Sequence, residues 1–163
     1  LRKDWVPLEE IVGSALTRLE ERLGARRVVV DIAADVPLVL VDPVLFEQLF
    51  VNLLENAEKY TPADTLIEIR ARSQGERVAI DVLDEGPGLP SGAELKIFEK
   101  FYRGTHPGVG GAGLGLPICK GVAEAHGGTI TAETRASGGA AFHIVIPSGG
   151  ASPSLLPQAG GVE

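Results

Sequence analysis

Between Asp42 and Pro62 the chain can form little other than one long helix. Asp42 offers a side-chain acceptor at the cap position, and Pro43 suits the first helical residue. Pro62 disfavours helical geometry at Thr61, so the helix is expected to stop near Tyr60. Leu45, Leu49, Leu53 and Ala57 recur at helical spacing, and Phe46, Phe50 and Leu54 widen that stripe. A stripe so broad requires a second layer to cover it. The polar face carries Asn52, Asn56 and Lys59.

The flanking sequence supplies that layer. Residues 8–23 read as another amphipathic helix, ended by Gly24. Residues 27–33 and 38–41 read as strands. Residues 65–72 and 77–83 alternate and are joined through Gln74 and Gly75, the pattern of a hairpin. Residues 84–88 read as a turn and 93–100 contain a short helical piece. Residues 104–115 hold six glycines in twelve positions and are expected to form a mobile loop. Residues 114–126 predict a third helix, closed by Gly127 and Gly128. Residues 129–135 and 140–146 predict a last hairpin. The order implies an α+β fold, a two-layer sandwich with one mixed sheet and three main helices on one face. The expected domain is 1–147. Residues 148–163, rich in Gly, Pro, Ser and Ala, are expected to be a disordered tail.

With 44% hydrophobic and 23% charged residues, 163 residues suit one soluble globular domain. The net charge of −7 argues against a general nucleic-acid binder. Cys119, the one cysteine, excludes an internal disulfide and suggests a reducing compartment. One cysteine and three scattered histidines argue against zinc. No apolar run is long enough to span a bilayer, and no signal peptide is visible. The chain has no methionine and begins at Leu1, so a domain of a longer protein is expected.

Four motifs carry chemistry. Asn52, Asn56 and Lys59 share one helix face; amide oxygens suit a hard cation such as magnesium, and a lysine suits phosphate. Asp84 ends a strand and is followed by Gly86 and Gly88. Its carboxylate could accept from an adenine amino group while the glycines admit a close ligand. Gly113, Leu114, Gly115, Leu116 and Pro117 join the glycine-rich segment to a helix, where free N–H groups favour an anion. Between these lie Phe98, Phe101 and Tyr102, with Lys100 and Arg103 in reach of phosphates. Singly, each also fits an ordinary polar face, turn, loop or apolar plug.

As an ordered set the motifs resemble those of the catalytic, ATP-binding domain of sensor histidine kinases. That domain belongs to a superfamily with gyrase, Hsp90 and MutL. Asn52 to Thr61 looks like the N box, Asp84 to Gly88 the G1 box, Phe98 to Phe101 the F box, and Gly113 to Gly115 the G2 box. The wording around Phe98 to Gly104, Gly110 to Cys119 and Ala125 to Ile130 is closest to potassium-responsive members. The resemblance covers about residues 5 to 147. It implies ATP and Mg²⁺, with Asn56 as metal ligand and Asn52 supporting it. Lys59 would meet phosphate, Tyr60 would pack on adenine, and Asp84 would bond its amino group. Gly86 and Gly88 would let the purine in. Gly113 and Gly115 would let Leu114 and Leu116 present amides to phosphate. For all this, Asp84 and Asn56 must address one shared cleft.

Two features depart from the family. Residues 138–142 lack the threonine of the usual last glycine box, so a packing role is expected there. Superfamily hydrolases usually carry a glutamate four residues before the metal-binding asparagine; here that position is Asn52, which cannot act as a general base. This favours transfer over hydrolysis. None of the histidines fits a phosphoacceptor. His126 is expected to place positive charge at a helix C-terminus, His143 to be structural, and His106 to lie in the lid. Cys119 is expected in the core. The resemblance therefore implies an upstream histidine-bearing dimerisation domain, a response regulator, and a cytoplasmic, monomeric domain of a membrane-bound sensor. An ATPase, a serine kinase or a non-catalytic nucleotide sensor are the alternatives.

Overall fold

The computed structural model describes residues 1–100 and 115–149. Of the expected glycine-rich loop at 104–115 and the expected tail at 148–163, residues 104–114 and 150–163 lie outside the described residues. Helix α3, Pro43–Tyr60, forms as its caps dictate: Asp42 accepts from the N–H groups of Val44 and Leu45. Phe46, Leu49, Phe50, Leu53 and Leu54 are essentially inaccessible on its inner face. Helices α1 (Leu8–Arg18) and α4 (Gly115–Ala125) pack on either side of it.

Beneath lies a five-stranded sheet of β2 (Val28–Ile32), β4 (Ile67–Gln74), β5 (Arg77–Asp84), β7 (Ala140–Pro147) and β6 (Thr129–Thr134), in that spatial order. Only β2 pairs in parallel, with β4; the other pairings are antiparallel. Alternate residues Ile67, Ile69, Val78, Ile80, Val82, Phe142, Ile144 and Ile146 enter one core with the helices. This is the mixed sheet with helices on one face that the pattern predicts.

Three local expectations are corrected. The strand β3, Val39–Val41, does not join the main sheet; it pairs antiparallel with β1, Asp4–Val6, in a separate ribbon. Three residues are too few for alternation to announce a strand or choose its partner. The expected helix over 8–23 breaks at Leu19 (φ −104°, ψ 12°), where one N–H is shared between Ala15 and Leu16 carbonyls. A short helix α2, Glu20–Leu23, follows. No glycine or proline marks the break. The helical piece expected at 93–100 is a single 3-10 turn, Lys96–Phe98.

Two histidines serve the fold. His126 is buried; its Nε2 accepts from the Asp42 N–H at 3.0 Å, leaving Nδ1–H to donate to the Val122 carbonyl at 2.7 Å. Protonation would set N–H against N–H. The ring thus acts as a neutral hydrogen-bonded tie from the end of α4 to the start of α3, correcting the expected charge–dipole role. The ring also meets Phe46 in a T-shaped contact.

His143 lies on the open face of the sheet, bonded to Asp81 and Glu133 at 2.6 Å each, with Arg72 on the other Asp81 oxygen. Burial disfavours its cation, but the hydrogen bonds and negative charge of Asp81 and Glu133 outweigh that and raise its pKa above the ordinary 6.5. A raised folded pKa means the stabilisation is complete below the unfolded value and lost as pH rises through the folded one. The urea midpoint should therefore fall as pH rises above 6.5, more steeply than in His143→Gln. Parallel pH profiles for the two proteins would refute the linkage. Among the described residues, no helix is long and apolar enough to cross a membrane.

Candidate functional site

Asn52, Asn56 and Tyr60 form an i, i+4, i+8 row along α3, about 12 Å from end to end by helical rise. Each end of the row touches another element. Asn52 Nδ2 donates to the Gly115 carbonyl at 3.2 Å, at the first residue of α4. At the other end, a Cβ placed on Gly86 would lie 3.3 Å from the Tyr60 carbonyl and 2.5 Å from Thr61 Cγ2. The turn after Asp84 is therefore seated against the end of α3, and a side chain at 86 would have to displace Thr61. Asn56 lies between these two contacts along the row, one helical turn from each. The turn that follows Asp84 therefore meets the end of the helix that carries Asn56.

The Asp84 side chain is held on one side only. Its Oδ1 accepts from the N–H groups of Gly86 and Ala140, both at 3.0 Å. Oδ2 accepts from none of the described residues, yet no buried side-chain polar atom among them lacks a partner. The residue is only 6% exposed, so that small exposure includes Oδ2. One oxygen is fixed and the other is offered outward. Sequence reading misses Ala140 here, because a backbone donor 56 residues away carries no motif.

The segment 138–142 packs, as its missing threonine suggests. Gly139 has φ +91°, and a Cβ there would fall 2.0 Å from the Asp84 carbonyl. Arg135 donates to the same carbonyl at 2.8 Å. Gly88, at φ +85°, sits against Thr134, whose Oγ1 accepts from the Leu89 N–H. Arg135→Ala should cost about 1 kcal/mol of stability by removing one hydrogen bond. A urea midpoint equal to wild type would show that the strand end needs no such clamp.

The other candidates divide. The Asn56 amide makes no hydrogen bond, and the exposed Lys59 and Lys100 no ion pair, among the described residues. Tyr60 is half-buried. Gly115 opens α4, whose first N–H groups the helix cannot use. Leu116 packs partly on the core. Arg103, Gly113 and Leu114 lie outside the described residues. Asn52 is fully engaged: its Oδ1 accepts from Gln48 Nε2 at 2.7 Å. Cys119 lies beside it, its thiol pushed up to about 12 by burial, against the opposing effect of the Asn52 side chain. That buried thiol is inert, donating to the Leu49 carbonyl.

A family model described as histidine kinase-, DNA gyrase B-, and HSP90-like ATPase matches residues 41–150. Sensor protein KdpD of Escherichia coli (strain K12) is 49% identical over 150 residues, 90% of this chain and 16% of that protein. The chain therefore spans a small part of that relative. Full-length ShkA in complex with AMPPNP aligns with a TM-score of 0.80 and 27% identity, over 94% of this chain and 32% of that one. Histidine kinase ThkA in complex with response regulator protein TrrA aligns with a TM-score of 0.76 and 26% identity, over 90% of this chain and 42% of that one. Fold, motif order and family match agree: the chain belongs to the histidine kinase-, DNA gyrase B- and HSP90-like ATPases, on the sensor histidine kinase branch.

Proposed function

We propose that residues 1–147 are the catalytic domain of a sensor histidine kinase, moving the γ-phosphoryl group of ATP to a histidine on an upstream dimerisation domain. The observation that carries this reading is the one-sided grip on Asp84. A carboxylate with Oδ1 clamped by two backbone donors and Oδ2 open, beside a turn closely packed at Gly86, suits the edge of an adenine. AMPPNP, the ligand of the similar ShkA, is an ATP analogue.

The residues present also fit Mg²⁺. Asn56 has an amide oxygen that none of the described residues engages, the hard donor that ion prefers. Asn56 would hold it, with Asn52 in support, and the ion would neutralise charge on the phosphates. The chain's own residues do the rest. Tyr60 covers one face of the purine, while Gly86 and Gly88 keep its edge clear. Lys59, Lys100 and Arg103 meet phosphate. Gly113 and Gly115 leave the amides of Leu114 and Leu116 unobstructed. Catalysis is then positioning and charge neutralisation for in-line attack. Asn52 supplies no general base for water, which favours transfer over hydrolysis.

On this reading the phosphohistidine passes its group to an aspartate of a response regulator. Likeness to KdpD supports potassium or osmotic signalling. The domain would be a monomer on the cytoplasmic side of a membrane-bound sensor, touching neither lipid nor nucleic acid. The test mixes this chain with a separately made histidine-bearing helical dimer and γ-labelled ATP. Label should appear on the dimer. ATP binding without label would mean a non-catalytic sensor, and steady phosphate release an ATPase.

A further inference from the structure

Gln48 lies one turn before Asn52 on α3, outside every motif that pointed to the site. Its Nε2 donates to Asn52 Oδ1 at 2.7 Å, and Asn52 Nδ2 donates to the Gly115 carbonyl at 3.2 Å. The direction of this chain is forced. A backbone carbonyl can only accept, so Asn52 must turn its NH₂ toward Gly115. Its oxygen then faces Gln48, which must present its own NH₂. Gly115 is the first residue of α4 and adjoins the glycine-rich segment at 104–114. A Cβ on Gly115 would rest 3.8 Å from Asn52 Cβ, ordinary contact, so sterics alone do not lock the junction. Hydrogen-bond direction does.

We propose that Gln48 is a positioning residue: by fixing the direction of the Asn52 amide it latches the start of α4 to α3 and so sets the phosphate end of the nucleotide site. This rests on the nucleotide reading above. The latch lies away from Asp84, whose clamp uses Gly86 and Ala140. Disturbing it should affect phosphates and spare the base.

Glutamate at 48 has the same shape but only accepts. It faces the Asn52 oxygen, or forces Asn52 to flip and set that oxygen against the Gly115 carbonyl. Either contact repels. Calorimetry on the full chain should show Gln48→Glu weakening ATP by about tenfold while adenosine affinity is unchanged. Gln48→Lys, a donor only, should retain ATP affinity, and Gln48→Leu should fall between. A residue needed for packing would reverse that order, with the isosteric glutamate best tolerated. ATP binding by Gln48→Glu equal to wild type, or equal losses for ATP and adenosine, would overturn the latch and leave the nucleotide reading intact. Failure of wild type to bind ATP would instead remove that reading, and the latch with it. If Gln48→Glu does not fold, the lysine and leucine variants decide: lysine above leucine supports the latch, and the reverse overturns it.

Discussion

Asn56→Ala should slow phosphoryl transfer to an external histidine roughly a thousandfold while leaving the fold intact. The two halves of that expectation have separate origins. The Asn56 amide is bonded to nothing among the described residues, so truncation orphans no partner. Alanine also has the best helix propensity, so stability should hold or rise by a few tenths of a kcal/mol, roughly. The transfer loss comes from the metal. A correctly held Mg²⁺ supplies several kcal/mol of charge stabilisation to a phosphoryl transition state, about a factor of ten for each 1.4 kcal/mol. Chelating Mg²⁺ should therefore slow wild type about as much as the substitution does, with little further effect on the variant. Transfer by Asn56→Ala at the wild-type rate, with a wild-type melting temperature, would remove Asn56 from the metal site.

How far such roles can be read from sequence depends on whether the partner is local. Helix α3 was legible because Asp42, Pro43 and Pro62 act on their immediate neighbours, and because the apolar period persists from Leu45 to Ala57 in a helix of 18 residues. The hairpin of β4 and β5 was legible for the same reason. The ribbon of Asp4–Val6 with Val39–Val41 was not, since three residues cannot show alternation. At the site, the glycines of residues 84–88 announced a close approach, and Gly86 does press on Thr61. What they could not announce was the approaching partner. The Ala140 N–H comes to Asp84 because β7 pairs with β5, and the Gly115 carbonyl meets Asn52 because α4 packs on α3. These contacts span 56 and 63 residues and exist only after the layers close. His126 erred likewise: helix-end logic saw a dipole, whereas packing delivered the Asp42 N–H to its ring.

The asymmetric grip on Asp84 permits a sharper test of the base site than removing the side chain. Asp84→Ala strips the acceptor from the Gly86 and Ala140 N–H groups, so lost affinity would be mixed with lost stability. Asp84→Asn separates them. Two backbone donors demand an oxygen at the Oδ1 position, which forces the new NH₂ into the place of Oδ2. Stability should change little. An NH₂ there faces the amino group of adenine, donor against donor, where the carboxylate accepted. Losing a charged hydrogen bond costs about 1.5–3 kcal/mol, so calorimetry should show ATP binding roughly ten- to a hundred-fold weaker. A 6-oxopurine presents an acceptor at that position. Relative affinity should therefore shift from ATP toward GTP or ITP, a change that general damage to the fold cannot produce. If Asp84→Asn binds ATP as tightly as wild type, or loses all three nucleotides alike, the carboxylate does not read the base.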